Sequence, residues 1–385
     1  MRNKDYLHNS WLKEVIYLYI KNISSRQIAM AFTGSFLGAG FMSGQELMQF
    51  FGVFGSFGLV GMVFSVLLFC MLGCFAMKIA KHTGVVEFDK IIVEKEKPWL
   101  RVIFGGIFIF FLFGVVIVMI AGAGALLDQV FGMPIIIGSA LMAVCLAVVA
   151  LWGAKGVLNA FSITVPLLIV VAMITGILSF FCFHRSNIIA RPFSGTNPLL
   201  GNWLFSMLSF VSYNMMAAIS ILVPIAPNVK EEKTIYKGIF QGTVQLIIVF
   251  VCTLLPLILN QAMLSGAKLP MLILAERIHP FLGKAYAILL LCGMFGSALS
   301  CLFGVTVRIK NIRNIQGNTL ILGAVVSAFI GSIVGFKELI ATLFPICGYI
   351  GFFAMLGICL HFLSLQRKIS IDVRERKFNY NQHTG

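Results

Sequence analysis

Apolar runs of about 20 residues, long enough to cross the hydrocarbon core of a bilayer as helices, recur along nearly the whole chain. The first fills 27–79 and is interrupted by Gln45-Glu46 and by the turn-like Gly52-Val-Phe-Gly-Ser-Phe-Gly58, so it predicts two helices, 27–51 and 57–79. Further runs at 102–127, 132–152, 157–182, 202–228, 238–263, 285–306, 318–336 and 339–364 bring the expected total to ten spans. The apolar piece Leu269-Pro-Met-Leu-Ile-Leu-Ala275 is too short to cross and predicts an extracellular or re-entrant helix. Ahead of the first span, residues 1–25 form a polar and amphipathic cytoplasmic segment, which either lies along the membrane interface or frays.

Composition agrees with this pattern. The 385 residues are 59% hydrophobic and 11% charged, with a mean hydropathy of +0.98; soluble domains carry roughly 25% charged residues. The net charge of +15 would suit nucleic acid if it formed a face. Instead the basic residues sit in short segments between apolar runs, which excludes a nucleic-acid partner and orients the chain in the bilayer. Alternate loops hold 23 Lys and Arg on one side and 6 on the other, placing both termini in the cytoplasm of a multi-pass cell-membrane protein. The nine cysteines form no CxxC pair, and the six histidines are dispersed. No nucleophile–base pair or metal-ligand spacing emerges, so an enzyme is not expected, nor a bound cofactor beyond a sodium ion.

Ten spans divide into two halves of five, 26–182 and 202–364, joined by an extracellular loop (183–201) and followed by a cytoplasmic tail (365–385). Five is odd, so the second half enters the membrane with opposite topology, the arithmetic of an inverted repeat. The fold expected is therefore an all-α integral membrane protein, ten transmembrane helices in a five-plus-five inverted repeat with helices 1 and 6 broken. Helix 1 carries Gly34, Gly38, Gly40 and Gly44 in eleven residues; each weakens a helix by up to about 1 kcal/mol relative to Ala. The same spacing also satisfies small-xxx-small helix packing. Glu46 follows, the acidic residue placed well inside an apolar run of the first half. A carboxylate there costs a few kcal/mol unless it faces a cavity or a partner, so it is a coupling group for a proton or cation, an external gate, or a helix-end carboxylate at the interface.

Helix 6 places Ser212, Tyr213 and Asn214 at mid-span, followed by Pro224 and Pro227. These suit an unwound stretch with polar company for its free backbone groups, or an ordinary helix with interhelical hydrogen bonds. In helix 8, Ser297 and Ser300 are three apart and share a face, offering hard oxygens to a small cation or bonding their own preceding turn.

The run Thr33-Gly-Ser-Phe-Leu-Gly-Ala-Gly-Phe41 resembles the broken first helix of neurotransmitter:sodium symporters and the wider amino acid–polyamine–organocation superfamily. The longer phrase Gly38-Ala-Gly-Phe-Met-Ser-Gly-Gln-Glu-Leu-Met-Gln-Phe-Phe51 resembles the YkvI family of Gram-positive bacterial membrane proteins, over nearly the whole chain. The superfamily resemblance implies that backbone at Ala39 and Gly40 receives a substrate carboxylate and that helix 6 from Ser212 to Asn214 closes the pocket. It also implies a cation site on the carbonyls of Gly34 and Leu37, completed by Ser297 or Ser300. This chain departs from the symporters at Phe41, where they place an asparagine for a second sodium, and in presenting Ser300-Cys301, or Leu299-Ser300 in the neighbouring register, in place of a Thr-Ser pair. Nor does helix 5 carry a lysine within 157–182 to stand in for sodium.

The expected function is a secondary transporter, a sodium- or proton-coupled symporter of an amino acid or similar small zwitterion, with the bilayer and that solute as its partners. The alternative is a sensor subunit that keeps the pocket without transporting, as the membrane subunit of spore germinant receptors has a related fold. A channel lacks both a charged ring and a filter-like loop.

Overall fold

In a computed structural model, residues 23–85, 91–92, 98–152, 155–182, 197–264, 266–312 and 317–383 are described. The interfacial segment expected before residue 23 and most of the 183–201 loop lie outside them. Every regular element among the described residues is helical. Helix 1 of the sequence reading is three pieces: α1 (Ser25–Phe36), α2 (Ala39–Met42) and α3 (Gln45–Phe50). Then come α4 (Ser56–Thr83), α5 (Pro98–Phe131), α6 (Ile135–Trp152), α7 (Lys155–Cys182), α8 (Trp203–Ile225) and α9 (Glu232–Leu259). The chain closes with the short α10 (Pro270–Ile278), where the 269–275 piece was expected, then α11 (Pro280–Ile312), α12 (Gly317–Ser332) and α13 (Phe336–His383).

Six of these helices are long and apolar enough to cross a membrane: α4, α5, α8, α9, α11 and α13. Shorter apolar helices fill Ile135–Leu151, Pro166–Cys182 and Gly317–Ser332. Large apolar side chains face outward from the bundle, Phe240 of α9 and Phe353 and Leu360 of α13 among them, as a lipid-facing surface requires. Inside, α1 packs along α9 while α8 packs along α4 and α13, and α5 runs against α11. Thus α1 lies on the helix that follows α8, and α8 on the helix that follows the broken segment α1–α3.

Local chemistry explains the breaks. α1 starts at a capping box, in which Ser24 Oγ accepts from the Gln27 N–H at 3.4 Å and Gln27 Oε1 accepts from the Ser24 N–H at 2.9 Å. It stops at Leu37 and Gly38; a second interruption at Ser43 and Gly44 uses a left-handed glycine, Gly44 at φ +80°. A side chain at Gly44 would also meet Met271 Cγ at 2.8 Å. Gly34 and Gly38 have open space where a Cβ would go, so they do not serve the small-xxx-small contact that their spacing permits.

Helix 6 corrects an expectation. α8 is continuous from Trp203 to Ile225, and two of the three mid-span polar residues, Ser212 and Asn214, return hydrogen bonds to the helix itself. Ser212 Oγ donates to Leu208 O at 2.6 Å and Asn214 Nδ2 to Phe210 O at 3.0 Å, each one turn back. Of the two proline positions, Pro224 falls within its last turn and Pro227 lies in the 3₁₀ turn Ala226–Asn228.

Candidate functional site

The helix-1 breaks set a buried carboxylate against helix 6. Glu46 stands in the first turn of α3 and is only 5% exposed. Tyr213 Oη donates to Glu46 Oε1, and Asn214 Nδ2 approaches the same oxygen at 3.4 Å. The other oxygen, Oε2, lies over the start of α2: a Cβ on Gly40 would sit 2.8 Å from it. A side chain at Gly40 would push this carboxylate aside, and Glu46 itself covers the backbone where a substrate carboxylate was expected. Both hydrogen-bond partners are neutral, and among the described residues no cation pairs with Glu46.

Aromatic faces enclose the cluster. The Tyr213 ring stacks on Phe344 of α13 with centroids 4.9 Å apart, and Phe50, Phe210 and Phe111 stand 5.5, 5.7 and 6.4 Å away. Excluding water in this way strengthens the hydrogen bonds to the carboxylate and makes any change in its charge energetically large.

The turn between α2 and α3 is held from two sides. Tyr286 of α11 donates its hydroxyl to Met42 O at 2.5 Å, and the Met271 N–H of α10 donates to Ser43 O at 3.0 Å. Within the turn, Ser43 Oγ donates to Gly40 O at 2.6 Å and accepts from the Gln45 N–H at 3.2 Å. Movement of α10 or α11 therefore pulls directly on the segment that carries Glu46.

The sequence-predicted residues divide. Gly40, Glu46, Tyr213 and Asn214 come together, with Ala39 beside Gly40 at the head of α2. Ser212 does not join them: its hydroxyl is spent inside α8, and its backbone packs on Gly351, where a Cβ would come within 3.2 Å of the Ser212 carbonyl. For the expected cation set, Leu37 is buried, Ser297 half-buried, and Gly34 and Ser300 exposed. Among the described residues no hydrogen bond joins these four.

Three parts of the site escaped the sequence reading. Phe344 and Phe111 are ordinary apolar residues of spanning helices, so nothing local distinguishes them. Tyr286 did carry a signal, a phenol inside an apolar run whose buried hydroxyl needs an acceptor. A cavity of about 480 Å³ on the Gln45 side of α3, lined also by Gln49, Asn197, Lys337 and Thr342, draws on segments too distant in the chain to be associated by spacing.

No protein-family model matches the chain. Among solved structures, the Eremococcus coleocola manganese transporter in complex with an aromatic bis-isothiourea compound shares the fold. Its TM-score is 0.60 at 14% identity, covering 88% of this chain and 85% of that one. A mutant of the same transporter gives 0.56 at 15% identity, covering 87% and 76%. In sequence, the uncharacterized protein YyaD of Bacillus subtilis is 28% identical over 85% of this chain and 94% of its own length. The uncharacterized membrane protein YkvI of the same organism is 30% identical over 335 residues, 85% of this chain and 93% of that protein. With that extent of shared sequence and its stack of apolar helices, the chain belongs to the YkvI family of multi-pass membrane proteins.

Proposed function

We propose that this protein is a secondary active transporter, coupled to sodium or protons, for an amino acid or similar small zwitterion. The observation that carries the reading is the buried Glu46 carboxylate, held by Tyr213 and Asn214 across the break in helix 1. An ionisable group at that depth is costly and is kept where charge or a proton must move. Its fold neighbours are transporters, and a broken helix beside a continuous bundle is the arrangement in which such proteins alternate access.

In this reading the broken segment α1–α3 and the three shorter apolar helices also cross, giving ten spans in two inverted halves with both termini cytoplasmic. The exchange of first helices between halves, α1 onto α9 and α8 onto α4, supports the repeat. Glu46 acts as the coupling or gating group. Backbone at Ala39 and Gly40 receives the solute once Glu46 has swung away, and Tyr213 and Asn214 close over it. Gly34, Leu37, Ser297 and Ser300 form the sodium site if sodium is the coupling ion. The neighbour's manganese is not carried over: among the described residues no three of His, Cys, Asp and Glu gather.

The test is uptake of a radiolabelled amino-acid panel by the purified protein in liposomes, under an inward sodium gradient or an inward proton gradient. Uptake driven by either gradient supports the reading. Ligand-dependent thermal stabilisation without flux replaces it with the sensor subunit, since a ligand at about 100 times its Kd stabilises the fold by roughly 2.7 kcal/mol whether or not it is transported. Ser300→Ala separates the ions. With sodium coupling it raises the sodium concentration for half-maximal uptake by about tenfold, the cost of one hydroxyl ligand of about 1.4 kcal/mol. With proton coupling it leaves the uptake rate unchanged.

A further inference from the structure

While α3 turns Glu46 inward, its other side presents Gln45 and Gln49 to the cavity of about 480 Å³. The two glutamines are one turn apart and share a face of the helix. Across from them stand the Pro198–Leu200 turn, the start of α10 at Pro270 and the first turns of α13. With both termini cytoplasmic, this is the outer end of the bundle.

Gln45 is 3% exposed, yet its side-chain amide makes no hydrogen bond among the described residues. Burial has not sealed it. The unbonded polar atoms of the described residues that are fully shut in are Ser139 Oγ and Gln241 Oε1, so the Gln45 amide keeps access to the cavity that it lines. A nearly buried amide without a protein partner calls for a ligand or a water. Gln49, half-buried, adds a second unbonded amide beside it. The other neutral polar side chains of the wall are spent. Asn197 donates to Ala341 O at 2.6 Å and accepts from the Leu199 N–H at 3.0 Å, and Thr342 donates to Glu338 O at 2.8 Å.

Met48, Leu264 and Pro270 make the rest of the inner lining apolar. Lys337 and Glu338, half-buried and exposed, stand at a rim that this cavity shares with a larger one of about 710 Å³. This layout sorts the groups of a ligand. An ionised group among neutral amides and apolar walls loses its water without meeting an opposite charge, so charged groups stay at the rim. A carboxamide or hydroxyl suits the inner wall, because each glutamine offers both a donor and an acceptor. The volume falls within the range of small-molecule sites.

We propose that this cavity selects an amino acid with a neutral, hydrogen-bonding side chain. That side chain meets the Gln45 and Gln49 amides, and the ammonium and carboxylate remain at the Lys337–Glu338 rim. The inference takes the amino-acid solute from the transporter reading and adds which class is admitted, one residue away from Glu46.

Equilibrium binding of radiolabelled L-glutamine to the purified full-length protein in detergent tests this, with unlabelled L-methionine and L-glutamate as competitors of similar length. Saturable glutamine binding is expected, with each competitor weaker by about tenfold or more. Gln45→Met and Gln49→Met keep the shape and remove the amide, and each should weaken glutamine binding about tenfold, the scale of one lost polar contact. Neither amide bonds the protein, so both thermal midpoints should match the wild type; Gln49→Met, at the half-buried position, gives the reading should Gln45→Met unfold. Thr342→Cys, on the exposed part of the wall, locates the ligand, since bound glutamine should slow its modification by a charged methanethiosulfonate. Absent glutamine binding, equal affinity for glutamine and methionine, wild-type affinity in both glutamine variants, or labelling of Thr342→Cys indifferent to glutamine would overturn the proposal. The transporter reading fails separately. Binding with the expected pattern but no gradient-driven uptake keeps this site and removes transport, whereas gradient-driven uptake without that pattern keeps transport and removes this site.

Discussion

Glu46→Gln should cut concentrative uptake by about 100-fold while leaving the protein folded. The substitution preserves shape and one acceptor oxygen, so Tyr213 Oη and Asn214 Nδ2 keep a partner. What is lost is the charge and the exchangeable proton, at a position where among the described residues no cation balances them. Removing an unpaired buried charge does not weaken packing, and thermal unfolding in detergent should be unchanged or slightly higher. Net uptake in liposomes should fall by about 100-fold, equivalent to roughly 2.7 kcal/mol in the step that Glu46 serves. The mode of loss is informative. If Glu46 carries the coupling proton, exchange of internal for external solute persists while net uptake and its pH dependence vanish. If it is a gate, exchange and net uptake fall together. Wild-type rates of gradient-driven uptake in the variant would remove Glu46 from the mechanism.

The second large effect is structural. Gly176→Ala should destabilise the protein by about 3 kcal/mol, at the upper end of overpacking costs. A Cβ at Gly176 of α7 would lie 2.8 Å from the Cys252 carbonyl carbon in α9 and nearer still to its oxygen. Both groups are fixed on helices, so no rotamer relieves the overlap and the two helices must part. Close glycine-mediated contact is a main source of helix association in a bilayer, where the hydrophobic effect between helices is absent. Gly323→Ala in α12 is the matched control: it has open space at its Cβ, and alanine there favours the helix by up to about 1 kcal/mol. Thermal unfolding and size-exclusion profiles of the two variants should diverge; equal stability would mean that α7 and α9 do not meet at Gly176.

What these variants touch was unequally visible in the one-dimensional chain. Glu46 stood out because a carboxylate amid apolar residues is improbable without a purpose, a fact about solvation that needs no coordinates. The interruptions in helix 1 were legible for a related reason: glycine lacks the side chain that restricts its backbone, so four in eleven residues weaken any helix there. The same reasoning misread helix 6. Mid-span hydroxyl and amide groups are compatible with an unwound segment, yet they equally satisfy the preceding turn, and α8 takes that course. Which of two locally acceptable hydrogen-bond schemes wins depends on what surrounds the helix.

Apolar run lengths, glycine spacing and isolated charges, all properties of a residue and its immediate neighbours, determined by themselves that this is a helical membrane protein and where helix 1 gives way, and they singled out Glu46 as a carboxylate set among apolar residues. Tertiary structure alone decided that Tyr213, 167 positions away, is the partner of Glu46, that Phe344 walls the cluster and that Gly40 makes room for it. It also decided that two helices touch at Gly176 and not at Gly34 or Gly38. The reason is physical: in a bilayer all the spanning helices share one apolar composition, so their mutual placement rests on the fit of particular atoms across distant segments, and local pattern carries no record of that fit.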